Sequence, residues 1–151
     1  MPLDITGADD QAAIDEAGHC VNARKRGLHI QFTTIERRQF LRVGITVTGP
    51  VTLVNGATNL QLDVQNRVAG TAALLALGAT FGAQQDVREA IEKVALSFNN
   101  ADAMVRGIQD GVQKEMEQPD WNGAIVRAAE HLLVVRTIEE SDADAVGDGM
   151  L

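Results

Sequence analysis

Apolar and polar positions divide the chain into a helical start, a short β-rich stretch and a long helical remainder. Thr6 with Asp9 three residues later predicts a helix-capping pair. Helical spacing then runs through Ala13, Val21 and Ala23 to Gly27, a suitable terminator after the basic run Arg24-Lys25-Arg26. Residues 28–35 alternate apolar with polar and are β-branched, which predicts a strand with His29 as an edge residue. Residues 40–48 predict a second strand closed by Gly49-Pro50, and 51–54 a short third before Asn55-Gly56, together a small antiparallel sheet. From Leu60 the spacing is helical to the end: 60–77, a break at 78–82, then 83–98 and 102–117. Pro119 opens the last long helix, with Trp121, Ile125, Ala128, Ala129, Leu132 and Leu133 on one face and Trp121 as a packing anchor. Ser141 can cap a final turn before an acidic tail; residues 1–8 and 142–151 are expected to fray. The expected fold is α+β and mainly helical, one domain over 1–151: a first helix, a small antiparallel sheet and a C-terminal helical bundle.

Composition narrows this picture. With 45% hydrophobic residues but only four Phe, one Trp and no Tyr, the core must be built from Ala, Val, Leu and Ile, which favours closely packed helices. The net charge of −8 is concentrated after residue 86, where thirteen acidic side chains face six basic ones. Such a surface repels phosphate backbones, so no nucleic-acid partner is expected. The clusters Arg24-Lys25-Arg26 and Arg37-Arg38 read as a solvated helix end and a hairpin edge. The most apolar stretch, 68–83, is too short and too rich in glycine to span a bilayer. One cysteine, Cys20, forms no intramolecular disulfide and reads as a core thiol, and no basic-then-apolar leader opens the chain. The expectation is a cytoplasmic protein without a membrane partner. The Ala-rich helix at 60–77 suits either a core or a face between two copies, so a homo-oligomer stays open.

The candidate chemistry lies in the first helix, at Asp15-Glu16-Ala17-Gly18-His19. In the metalloprotease pattern H-E-x-x-H, two histidines four residues apart share a helix face and grip one metal, while the glutamate activates water there. Here the Glu and the second His stand in place, and Asp15 occupies the first His position. Ala17-Gly18 are small where a metal-binding helix needs close approach, and the charged trio interrupts an apolar helix. His131 beside Glu130 reads as a surface residue.

These residues, followed by Asn66-Arg67-Val68-Ala69-Gly70 and then Phe81-Gly82-Ala83-Gln84-Gln85-Asp86-Val87, resemble the peptidase domain of FtsH, the membrane-anchored AAA+ zinc protease, and its small stand-alone relatives. The resemblance covers roughly residues 9–138 in order. It implies a zincin-like fold with His19 and Asp86 as metal ligands, Asp15 where the other histidine belongs and Glu16 as general base. Two departures qualify it. Gly70-Thr71 replace the family's acidic pair, and no Walker A pattern G-x-x-x-x-G-K-[ST] occurs in these residues, so no ATPase is expected among them.

With Asp15 as a ligand the donor set is one nitrogen and two carboxylates. Zinc affinity should fall, Mn²⁺ and other hard divalent cations become more competitive, and the cation becomes a weaker Lewis acid. The expected function is metal-dependent hydrolysis of a protein or peptide substrate at reduced or lost rate. The alternative is an inactive pseudo-peptidase, without metal, serving as a binding or assembly module.

Overall fold

In a computed structural model, residues 3–36, 45–48, 56–79 and 84–149 are described. The predicted strand at 51–54, Arg37-Arg38 and most of the 78–82 break lie outside them.

The chain is α+β and mainly helical. Helix α1 spans Ala8–Lys25, β1 Ile30–Thr34, β2 Ile45–Thr48, α2 Gly56–Ala76 and α3 Gln84–Ala95; α4 spans Ala101–Met116, α5 Pro119–Val135, β3 Thr137–Glu139 and α6 Glu140–Gly147. The sheet order is β2-β1-β3, with both neighbours antiparallel to β1.

Helix ends follow local rules in most places. Gly27 at φ +80 accepts the left-handed turn after α1, its N–H reaching Arg24 while Leu28 N–H reaches back to the Ala23 carbonyl at 2.8 Å. This is the Schellman closure that a glycine at that position favours, and Gly78 closes α2 the same way through Ala79 N–H to Leu74. Asp9 and Asp10 in the first turn of α1 and Arg24 and Lys25 in its last complement the helix dipole. The predicted Thr6–Asp9 capping pair does not form. Gly7 is the N-cap and offers no side chain, because the Thr6 hydroxyl is spent on Asp4 at 2.6 Å in a local turn.

α1 is the central element, packed on α2 along one side and α5 along the other. Ala13, Ala17, Cys20 and Val21 of α1 and Val64, Val68, Ala69, Ala72 and Ala73 of α2 are fully buried, so small side chains build this core and Cys20 belongs to it. A Cβ at Gly18 would stand 2.5 Å from the Ala73 Cβ and 2.8 Å from the Ala69 carbonyl oxygen. Gly18 therefore serves the close approach of two helices rather than a metal. On α5, Trp121, Ala124, Ile125, Ala128, Ala129 and Leu132 are buried; Leu133, the sixth predicted position, is half-buried.

The helical pattern read from Leu60 to the end is broken once. α5 stops at Val135, Arg136 turns at φ 69, and residues 137–139 pair with β1, Ile138 opposite Thr33. The predicted frayed tail is also ordered as far as residue 149. α6 buries Ala143 and Val146 against α1 and β1, and a Cβ at Gly147 would meet Arg24 Cγ at 2.5 Å and the Cys20 carbonyl oxygen at 2.8 Å. Among the described residues no helix is long and apolar enough to cross a membrane.

Candidate metal centre

Helical periodicity puts Asp15, His19, Asn22 and Arg26 of α1 on one stripe, and the stripe faces α2 and the helices beyond it. At its N-terminal end, His19 Nε2 lies 3.3 Å from Asp15 Oδ1 and 3.6 Å from Asp86 Oδ2. Asp86 comes from the first turn of α3, where the helix dipole favours negative charge. The three ligand atoms lie within 4.8 Å of one another, all partly buried, so this group could hold a metal ion. In a tetrahedral zinc site with bonds of about 2.0–2.1 Å, neighbouring ligand atoms stand roughly 3.3–3.4 Å apart. Both distances from His19 are close to that edge length.

Glu16, the residue predicted as general base, is one turn from His19 and only 5% exposed. Its field reaches the imidazole. Burial by itself would strip the proton from His19, but hydrogen bonds to Asp15 and Asp86 and the charges of Asp15 and Glu16 outweigh it, and the pKa stands well above 6.5. The cation-free site therefore holds an imidazolium between carboxylates.

Gly70 of α2 defines the floor beneath Asp15. A Cβ at Gly70 would overlap the Asp15 carboxylate, touching both oxygens and Cγ. The absent side chain of Gly70 is the space into which Asp15 fits. Thr71, its neighbour, is fully buried.

The stripe continues beyond the predicted residues. Asn22, fully buried, donates through Nδ2 to Asn66 Oδ1 at 2.8 Å and accepts from Arg26 Nε at 3.3 Å. Arg26 in turn forks onto Glu115 of α4 at 3.0 and 2.6 Å. Their spacing with Asp15 and His19, four, three and four residues, is visible in the sequence and would have found them.

The basic run is not the solvated helix end predicted. Arg24 forks onto Asp148, Lys25 meets Asp120 at 3.1 Å, and the charges of Lys25 and Arg26 stand 5.6 and 5.4 Å from the centre of the Trp121 ring. Trp121 is thus the anchor expected of it. The other two histidines stand apart from the group. His29 binds Asp144 just before β1, at the N-terminal end of the central strand rather than on an edge, and His131 is half-buried on α5.

No protein-family model matches the chain, and no curated protein matches it significantly.

Proposed function

We propose that the protein is a zincin-like, divalent-cation-dependent hydrolase of the peptidase type, slower than an enzyme with two histidine ligands. Asp15, His19 and Asp86 hold the cation and Glu16 is the general base. The observation that carries this reading is the convergence of Asp15, His19 and Asp86 from α1 and α3, with both distances from His19 near the edge of a tetrahedral site. When bound, the cation supplies Lewis-acid polarisation of a peptide carbonyl and of water.

The chain's residues contribute the rest. Asp15 and Asp86 present oxygen donors, which suit zinc and also the harder Mn²⁺. His19 supplies nitrogen after releasing the proton it carries in the cation-free state, so cation affinity rises with pH. Glu16, whose charge acts on His19, would accept a proton from attacking water. The substrate class proposed is a protein or peptide.

The test is elemental analysis of protein purified without chelator, followed by EDTA stripping and add-back of Zn²⁺ or Mn²⁺ during thermal melts. One ion per chain is expected, with stabilisation of about 2.7 kcal/mol at a hundredfold excess over Kd. No bound ion and no shift with either metal would overturn the cation site. Asp15→His should tighten zinc binding and raise peptide hydrolysis. A zinc-loaded Asp15→His protein that hydrolyses no peptide would make the domain a binding module instead.

A further inference from the structure

Gly70 sits inside α2, with α2 residues on both sides of it, and it is buried. A glycine in a helix interior is less favourable than alanine, so this position forgoes stability unless something needs the space. What occupies the space is the Asp15 carboxylate: all three of its atoms fall within contact of the Cβ that Gly70 lacks. Gly18 makes the opposite case. Its missing Cβ is crowded by the Ala73 Cβ and by the Ala69 backbone, which cannot swing aside. At Gly70 the obstacle is the end of a side chain, free to rotate away.

We infer that Gly70 is the positioning residue for Asp15: by carrying no side chain it lets the carboxylate lie against α2 at 3.3 Å from His19 Nε2, and so sets the one-nitrogen, two-carboxylate donor group. The inference deepens the cation-site reading and, for its consequence on cation binding, rests on it. A methyl group at position 70 turns Asp15 out of the group while leaving the α1–α2 crossing intact. The same change improves helix propensity. The gain in helix propensity and the loss of the Asp15–His19 contact oppose each other, so stability in chelator should change little while cation binding falls, which a merely structural glycine would not produce.

The experiment has two arms on the full chain. The first is a double-mutant cycle in EDTA, comparing the melting shift from Gly70→Ala in wild type and in Asp15→Ala. The shift should be more favourable in the Asp15→Ala background by about 2–4 °C, since no carboxylate has to be displaced there. Equal shifts in the two backgrounds would overturn the inference. The second arm titrates Mn²⁺ and Zn²⁺ into wild type, Gly70→Ala and Gly107→Ala, the last at a position where a Cβ meets nothing within 4 Å. Gly70→Ala should bind about 10–100-fold more weakly, the usual loss when a group orienting a ligand is altered, and Gly107→Ala as wild type. Wild-type affinity in Gly70→Ala would also overturn it. If wild type takes up neither ion, the cation reading fails, and the EDTA cycle still decides whether Gly70 makes room for Asp15.

Discussion

His19 and His29 stand ten residues apart, one inside α1 and one just beyond it, and each faces an aspartate brought from a distant helix. Around His29 each carboxylate has a partner. Its Nδ1 meets Asp144 Oδ2 at 2.5 Å, the other Asp144 oxygen accepts the Ile30 N–H at 2.8 Å, and Arg24 pairs with both Asp144 and Asp148. Arg24 answers both carboxylates, and the group ties the C-terminal helix to the end of α1. Around His19 three carboxylates, Asp15, Glu16 and Asp86, act on one imidazole, and the set is mostly buried. Even with the imidazole charged, these four groups carry an excess of two negative charges. The first arrangement is a latch complete in itself. The second keeps an excess of negative charge that a divalent cation would reduce, which is why a His–Asp contact alone distinguishes neither role.

The comparison can be broken most forcefully at the helix crossing that supports the His19 group. Gly18→Ala sets a methyl against the Ala69 backbone, and a loss of about 1–3 kcal/mol is expected in urea melts. Melts unchanged from wild type would mean that α1 and α2 cross less closely. The latch should yield less. Asp144→Ala removes the acceptor of the Ile30 N–H and the partner of His29 and Arg24, for about 1–2 kcal/mol, reduced by the partial solvent exposure of the group. Amide exchange should then quicken in α6 but not in α3; equal quickening in both would join the two regions into one unit.

The smallest and sharpest effect is the direction of the pH response in chelator. The His19 pKa is raised on folding, so its contribution is complete below about 6.5 and is lost as pH rises through the folded value. Asp144 behaves oppositely. Burial pushes its pKa up, but the Ile30 N–H, His29 and Arg24 together bring it below 3.8, so its contribution is complete above that value and is lost as pH falls through the folded one. Melts across pH should show an alkaline loss that disappears in His19→Gln and an acid loss that shrinks in Asp144→Ala. An alkaline loss that survives His19→Gln would remove the imidazolium from the account.

Much of the architecture was legible because it is local. Gly27 and Gly78 stop helices by accepting left-handed turns within a few residues of the carbonyls they help satisfy, and α5 declares its buried face through Trp121, Ile125, Ala128, Ala129 and Leu132. β3 was not legible. Three residues between Arg136 and α6 carry no period, and only pairing with β1 makes them a strand. The acidic tail misled for a related reason: Asp144 and Asp148 look solvated until Arg24 and His29, more than a hundred residues away in the chain, meet them. Asn22 and Arg26 carried a readable signal in their spacing, but their polarity suggested an exposed face.

Legible in the chain alone were the ends of α1 and α2, the start of α5 at Pro119, a small-residued helical core, and Asp15, Glu16 and His19 on one stretch of helix. Those properties follow from interactions within a turn or two of the backbone. Only the tertiary structure decided that Asp86 closes on His19 while His131 does not, that Gly18 admits α2 and that Gly70 admits Asp15. These depend on how nearly two helices approach, a distance set by every side chain packed between them and therefore written in no single segment of the chain.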